Sequence, residues 1–274
     1  MDEKKSFFEL LDPRSALLVG LVGGFLALGT VGFLVLGVSV IKGVKTTSAP
    51  AAAVANAANQ NAQAANAPAQ AIPKTDKPKV ELFVMSYCPF GLQMEKAYVP
   101  AWNLLKNVAD IDVKFVSYAM HGKKEVDENT RQYCIEKEQP AKYQAYLSCF
   151  FAAGANNGAE ANYKNCLASA GINQSALNSC TSKTDSQFAI TAKFNDQSTW
   201  LSGQYPVYPV HDSLNQQYGV QGSPTLVING VQADIARTPE AIKQAICNAF
   251  NNAPAECNQT LPNTGFEAGF GLRS

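Results

Sequence analysis

The chain has 274 residues and a formal net charge of zero, from 22 basic and 22 acidic side chains. This balance argues against a polyanion partner, so we expect no binding to nucleic acid. The length allows one folded domain of roughly 180 residues plus accessory segments. All seven cysteines lie between Cys88 and Cys257, which favours disulfides in an oxidising compartment and leaves one cysteine over.

The first segments predict a membrane anchor. Residues 1–15 form a short mixed-charge head, and residues 16–41 contain no charged side chain. A helix of that length reaches about 39 Å and crosses a hydrocarbon core of about 30 Å with tilt. A cleaved signal peptide is the alternative, because small-residue sites such as Ala53 and Ala55 follow, but its apolar region would be shorter. We therefore expect an uncleaved signal anchor over residues 16–42.

The orientation of this anchor is weakly marked, because basic residues flank both of its ends. The cysteines favour a single-pass protein of the cell membrane, with the head in the cytoplasm and the C-terminal part outside it. Residues 43–78 are dominated by Ala, Asn, Gln and Pro. Such a composition is typical of a flexible linker.

The sequence VELFVMSYCPFGLQM, at residues 80–94, predicts a strand over 80–87 that leads into a helix over 92–108. Cys88 lies at the junction, where unpaired backbone N–H groups and the helix dipole favour a thiolate. The alternative is a small, buried core cysteine. A second strand, over 111–120, would complete a right-handed strand-helix-strand unit.

The rest of the domain is predicted to be a helical insertion over about 124–203, a short helix over 211–218 and a second small sheet unit. The sequence GVQGSPTLVING, at residues 219–230, places Ser223 and Pro224 before an apolar strand and ends in an Asn-Gly turn. A hairpin partner over 231–236 and a helix that Thr238 caps follow.

These units resemble the thioredoxin superfamily, through the strand-Cys-Pro-x-x-helix unit and the later Ser-Pro-Thr strand. The cysteine-bearing helical segment between them is similar to thiol oxidoreductases of the DsbA type and of the gamma-interferon-inducible lysosomal thiol reductase type. The resemblance implies an α/β thioredoxin-like fold over residues 79–257 and a cis peptide before Pro224, facing Cys88. Those families carry Cys-x-x-Cys, whereas this chain has Gly91 at the resolving position.

Parallel strands bring their carboxyl ends to one edge of a sheet, so Cys88 and His121 are expected at the same edge as Pro224. We predict that Cys88 is the nucleophile. His121 is a candidate for stabilising the thiolate or moving a proton, with a solvated loop residue as the alternative. The residues that shape the expected substrate groove are Pro89, Phe90, Gly91, Ser223, Pro224 and Thr225.

The other six cysteines are predicted to be structural. Their spacing favours a nested pairing, Cys149–Cys166 inside Cys134–Cys180, and a clip between Cys247 and Cys257, although six cysteines allow many connectivities. With no Cys-x2-Cys knuckle and two histidines in the chain, we expect no metal and no other cofactor. Residues 258–274, which include an LPNTG motif similar to a sortase signal, are predicted to be a flexible tail.

The leading hypothesis is a membrane-anchored, extracytoplasmic thiol-disulfide oxidoreductase or isomerase that acts through one cysteine. Its partners would be protein thiols or disulfides, an external thiol or redox protein, and the membrane through residues 16–42. The alternatives are a redox-inactive module that binds extended peptides, like the similar segments of plant vacuolar sorting receptors, and a scaffold for an envelope complex.

Overall fold

The computed structural model describes residues 71–152 and 159–273. Within them, four strands form one sheet in the order β2-β1-β3-β4. β1 is parallel to β2, and β3 is antiparallel to both β1 and β4. The strands are β1 Lys79–Val84, β2 Asp110–Phe115, β3 Thr225–Ile228 and β4 Val231–Gln232.

Eight α-helices accompany this sheet in the described residues. One helix joins β1 to β2, five form the insertion, and two flank the β3–β4 hairpin. They are α1 Pro89–Leu105, α2 Lys123–Glu138, α3 Pro140–Ala152, α4 Ala159–Ser169, α5 Gln174–Phe188, α6 Ile190–Asn195, α7 Asp212–Tyr218 and α8 Pro239–Asn248. Short 3-10 turns lie at Gln197–Thr199, Pro209–His211 and Ala255–Asn258. This is the mixed α/β, thioredoxin-like arrangement that the sequence predicts.

The burial of the strands explains their order in the sheet. β1 is buried from Val80 to Val84, on both of its faces, as expected for a central strand. β2 alternates, with Ile111, Val113 and Phe115 buried and the residues between them more exposed. An alternating pattern suits an edge strand with one face on the core.

β2 ends earlier than the predicted strand over 111–120. After Phe115 the chain leaves the sheet and pairs with the segment that precedes α7. Tyr208 donates its backbone N–H to the carbonyl of Ser117, and Ala119 donates to Pro206. The prediction was wrong because an apolar alternating run does not reveal which partner it pairs with.

The hairpin between β3 and β4 turns at Asn229 and Gly230, both with positive φ, as the Asn-Gly sequence predicts. The Asn229 side chain also accepts a hydrogen bond of 2.8 Å from the backbone of Lys79. This contact fixes the turn against the start of β1, so the hairpin is tied to the strand that leads to Cys88.

Three disulfides hold the periphery, and they are the same three pairs that the spacing favours. Cys134–Cys180 joins α2 to α5 and Cys149–Cys166 joins α3 to α4. Cys247–Cys257 joins the end of α8 to the segment that follows it. Cys88 is the one free cysteine.

Both predicted flexible boundaries of the domain differ from the structure. Residues 75–78 were predicted to be linker, but the backbone of Thr75 bonds to Ala249 and Asn251 at the end of α8. Residues 258–273 were predicted to be a flexible tail, but they pack against α8 and α1. In the LPNTG motif, for example, Leu261 donates its N–H to the Glu240 carboxylate at 2.7 Å.

No helix in residues 71–152 or 159–273 has the length and apolar character that a membrane span requires. The anchor predicted over residues 16–42, the head before it and the linker up to residue 70 lie outside the described residues.

Candidate active site

The site lies where the carboxyl end of β1 meets the amino end of β3. Cys88 follows β1 and begins α1, while Ser223 and Pro224 precede β3. The sulfur of Cys88 lies 3.5 Å from the carbonyl oxygen of Ser223. The fold therefore brings together two sequence motifs that lie 135 residues apart.

Cys88 is the N-cap residue of α1. Its backbone is extended and Pro89 occupies the first helical position, where the missing proline N–H costs nothing. The Cys88 sulfur accepts a hydrogen bond from the backbone N–H of Gly91 at 3.4 Å. The sulfur therefore lies at the start of the helix, where backbone N–H groups lack partners within the helix. The side chain is half-buried and remains accessible.

Gly91 occupies the position that holds the second cysteine in Cys-x-x-Cys proteins. A Cβ atom built at Gly91 would lie 2.7 Å from Oγ of Ser223 and 3.1 Å from the carbonyl oxygen of Met85. The Ser223 hydroxyl is held there because it accepts a hydrogen bond of 2.9 Å from the backbone N–H of Met85. The serine thus occupies space that any side chain at position 91 would need.

The Ser223–Pro224 peptide bond is cis, as the resemblance implies. Pro224 and Thr225 line a groove of about 250 Å³ together with Met94, Leu226 and the start of the chain after β4. We call this the Pro224 groove. The Thr225 hydroxyl donates to the carbonyl of Gly222 at 2.8 Å, which fixes the loop that carries the proline.

Glu125 is a site residue that the sequence prediction missed. Its carboxylate is fully buried and accepts the backbone N–H of Tyr87 at 3.0 Å, on the loop that carries Cys88. The same carboxylate accepts the backbone N–H groups of Met120 and His121 at 2.8 and 3.1 Å. One side chain therefore ties the loop after β1 to the loop after β2. The spacing of His121 and Glu125, four residues apart, was the available signal.

His121 lies at the same edge of the sheet, where its side chain contacts Glu125. Its Nδ1 is 2.8 Å from Oε1 of Glu125, so Nδ1 carries the proton of this bond and donates it. The His121 side chain is 32% exposed. Although the structure describes both residues, no hydrogen bond joins His121 to Cys88.

Two exposed apolar side chains flank the site. Phe90 is 54% exposed and Met120 is 50% exposed. Phe90 lies two residues after Cys88, and Met120 lies in the loop whose backbone Glu125 accepts. The guanidinium of Arg237 lies 5.2 Å from the centre of the Phe90 ring and donates to Gln93. Apolar surface of this kind suits contact with an unfolded or extended polypeptide.

The C-terminal segment 266–273, here called the strap, lies across the first turns of α1. The buried ammonium of Lys96 donates to the carbonyls of Glu267, Gly269 and Gly271 at 2.6, 2.9 and 2.8 Å. Gly269 and Gly271 have positive φ, which lets alternate carbonyls converge on one cation. The N–H of Gly269 donates to the carbonyl of Pro89, so the strap contacts the active-site turn itself.

Part of this domain is similar in sequence to a known family. Residues 79–184 match the family model of gamma interferon inducible lysosomal thiol reductase (GILT). This part of the chain is therefore similar to the GILT family, and we call the domain that contains it the GILT-like domain. Cys88, His121 and Glu125 lie inside the matched range of this GILT-like domain, and Pro224 lies after it.

Solved structures of bacterial disulfide oxidoreductases also share similarity with the chain. The reduced disulfide bond oxidoreductase DsbG of Mycobacterium tuberculosis is 16% identical, with a TM-score of 0.45 over 69% of this chain and 88% of that one. Reduced DsbA of the same organism is 16% identical, with a TM-score of 0.45 over 69% and 93% of the two chains. Pseudomonas aeruginosa DsbA is 17% identical, with a TM-score of 0.39 over 66% and 86%. No curated protein matches the chain.

Proposed function

We propose that the GILT-like domain is a thiol-disulfide oxidoreductase or isomerase in which Cys88 is the only redox-active sulfur. The observation that carries this proposal is the environment of Cys88. Its sulfur is in no disulfide, is accessible and lies at the start of a helix. It is 3.5 Å from the carbonyl oxygen of Ser223, the residue that precedes Pro224.

The chemistry would proceed by thiol-disulfide exchange. The Cys88 thiolate attacks one sulfur of a substrate disulfide, forms a mixed disulfide and releases the other substrate sulfur as a thiolate. A second thiol then attacks the mixed disulfide and regenerates the Cys88 thiolate. If that thiol belongs to the same substrate, the result is isomerisation. If it belongs to an external low-molecular-weight or protein thiol, further exchange yields a reduced substrate and an oxidised donor.

The space around Gly91 supports a cycle without internal resolution. A resolving thiol would stand at position 91, and a Cβ there would require the Ser223 hydroxyl to move and the backbone of Met85 to shift slightly. Phe90, Met120 and the Pro224 groove supply the surface on which a substrate polypeptide would lie. Glu125 would hold the loop that carries Cys88 against the loop that carries His121, and His121 would be oriented by the same carboxylate.

The proposal places the domain outside the cytoplasm, anchored by residues 16–42 and extended on the linker. Two observations support this location: the uncharged run over residues 16–41 and the three disulfides, since disulfides persist in oxidising compartments. Treating intact cells with a membrane-impermeant thiol reagent tests it. Labelling of Cys88 in intact cells is expected, and labelling only after lysis would contradict it.

The activity is tested by comparing the wild type with Cys88→Ser. We expect iodoacetamide to label Cys88 in the native protein near neutral pH, and we expect the wild type to accelerate reduction of a peptide disulfide only when an external thiol is supplied. The Cys88→Ser variant should lose both properties. Cys134, whose sulfur is already bonded, should remain unlabelled until the protein is reduced and unfolded.

Two outcomes would contradict the proposal. One is a Cys88 that resists iodoacetamide until the protein unfolds. The other is an unchanged rate of disulfide exchange, and an unchanged cellular function, in Cys88→Ser. The second outcome would favour the redox-inactive peptide-binding module instead.

A further inference from the structure

A second groove, of about 520 Å³, lies beside the active site. Its walls are mostly apolar and include Tyr118, Leu201, Val207 and Val220. We call it the Tyr118 groove. Leu201, at 46% exposure, is one of the few large apolar side chains of the described residues that face solvent.

Two residues that line the Tyr118 groove carry hydrogen-bond acceptors without partners. Asn215 lines the groove and is only 3% exposed. Its amide nitrogen donates to the carbonyls of Phe115 and His211, both at 2.9 Å, which fixes the amide orientation because an oxygen cannot donate. The Oδ1 atoms of Asn215 and Asp212 are both buried, and neither has a hydrogen-bond partner among the described residues.

An unpaired buried acceptor is costly, so native structures rarely leave one without a reason. Here two such acceptors belong to residues that line the same groove. Asp212 carries the only formal charge among the described residues that line it. The groove therefore combines mostly apolar walls with one acidic lining residue and two unpaired acceptors, which suits a long aliphatic chain that ends in a cationic donor.

The groove is adjacent to the reacting sulfur. Tyr118 and Cys88 pack against the same small cluster of buried side chains, and burial raises the pKa of Tyr118, with Tyr205 and Cys88 raising it further. The Tyr118 hydroxyl donates to the carbonyl of Gln221 at 2.9 Å. Gln221 lies two residues before Ser223, a distance of about 7 Å along an extended chain.

We propose that the Tyr118 groove is a specificity pocket for a lysine or arginine side chain of the substrate polypeptide, about two residues from the cysteine that Cys88 attacks. The inference rests on the proposed function. The aliphatic part of the basic side chain packs against Leu201 and Val207, and its charged end donates to Asp212 and Asn215. A polypeptide lying along residues 221–224 presents its cysteine to Cys88 and its basic side chain to the groove.

The test uses the full chain and synthetic peptides whose single cysteine is in a mixed disulfide with 2-nitro-5-thiobenzoate. Attack by Cys88 on the peptide sulfur forms the Cys88–peptide disulfide and releases the coloured thiolate, so one absorbance trace reports the first exchange step. The peptides carry Arg, Gln or Glu two residues before or after the cysteine. At one of these positions the Arg peptide is expected to react about tenfold faster than the Gln peptide, as a hydrogen bond to a charged group implies.

Variants of the pocket assign the preference. Asp212→Asn should reduce the Arg-to-Gln rate ratio to near one, and Asp212→Lys should make the Glu peptide the fastest. The matched control is Asp127→Asn, an exposed residue of α2, which should leave the ratio unchanged. Because the ratio is measured within each variant, a loss of folded protein does not imitate the effect.

Each outcome decides one claim. Equal rates for the three peptides, with reaction still dependent on Cys88, would overturn the pocket and leave the proposed function standing. An Arg preference that persists in Asp212→Asn would also overturn it. Reaction of no peptide would overturn the proposed function and the pocket with it.

Discussion

The helical insertion and the Cys88 edge of the sheet are held together by different chemistry. Disulfides join the insertion helices in pairs, Cys134–Cys180 and Cys149–Cys166. At the Cys88 edge, the loops and the strap are joined by hydrogen bonds to two buried ionisable groups, Glu125 and Lys96. Because a nucleophilic thiolate attacks disulfides, a disulfide placed beside Cys88 would be open to exchange with it. Disulfides thus stabilise the insertion and the end of α8, whereas side-chain hydrogen bonds hold the loops at the edge of the sheet that carries Cys88.

The largest effect should come from the insertion. Replacing Cys134 and Cys180 with alanine should lower the free energy of unfolding by about 4 kcal/mol, because that disulfide closes a long loop in the unfolded chain. Chemical denaturation measures this loss. The rate at which iodoacetamide labels Cys88 under native conditions should stay the same.

The pair Cys247 and Cys257, which closes a loop of only 10 residues against 46, provides the comparison, and its removal should cost less. A labelling rate at Cys88 that follows the stability of the insertion would break the distinction between the two regions.

At the reactive edge, Glu125→Gln should lower the free energy of unfolding by about 2 kcal/mol, since hydrogen bonds to a buried charged acceptor are lost or weakened. The change should also speed hydrogen exchange at the amides of Tyr87 and His121, which the carboxylate accepts. The control Glu138→Gln, at an exposed position near the end of α2, should do neither. Unchanged exchange at both amides would show that Glu125 does not link the two loops.

The strap offers a second test of that edge. Lys96→Met removes the donor to three carbonyls and should lower the free energy of unfolding by about 1–3 kcal/mol. Hydrogen exchange should accelerate at Gly269, whose N–H donates to Pro89, and at Gly271, whose N–H donates to Phe151. Lys183→Met, on the exposed face of α5, is the control. A strap that exchanges equally slowly in both variants would contradict the role of Lys96.

A smaller effect is a pH dependence of the free energy of unfolding, and it comes from His211, which lies between the insertion and α7. Burial lowers the pKa of His211 to about 3, with Lys114 contributing, and its neutral Nδ1 accepts the N–H of Phe115 at 3.0 Å. The unfolded chain takes up this proton near pH 6.5 and the folded protein does not. The free energy of unfolding should therefore decrease as pH falls from about 6.5 to about 3.

His211→Gln keeps an acceptor for Phe115 and should show a shallower decrease over that range. Burial raises the pKa of Glu136 to about 7, but that carboxyl is present in both proteins, so the difference between their unfolding curves isolates His211. Parallel curves for the wild type and His211→Gln would contradict the assignment.

The parts of the fold that were predictable from sequence are those with local causes. The strand before Cys88, the capping role of its position, the turn at Asn229 and the order of the elements each depend on residues close together in the chain. The two disulfides of the insertion could be predicted because successive helices place their cysteines at similar intervals. The site residues Cys88, Ser223 and Pro224 come together as the topology requires.

What the sequence did not reveal depends on partners far away in the chain. Glu125 has the sequence context of an ordinary acidic residue in the first turn of a helix, and its link to the Cys88 loop depends on Tyr87, 38 residues earlier. Lys96 has the context of a solvated face, because its partners belong to the C-terminal segment. The sequence of the strap is typical of a flexible, glycine-rich tail. Its order depends on Lys96, which lies 171 residues before Glu267 in the chain. The Tyr118 groove forms between three separate segments, and no short pattern marks it.

The measurement that tests the central claim most directly is the fate of the mixed disulfide on Cys88. The full native chain is incubated with oxidised glutathione, the excess is removed, and the protein is analysed by intact mass and peptide mapping over time. We predict one glutathione adduct, on Cys88, that persists until a second thiol is added. An adduct that disappears without added thiol as Cys88 bonds to another cysteine of the chain, or a Cys88 that forms no adduct until the protein unfolds, would contradict the account.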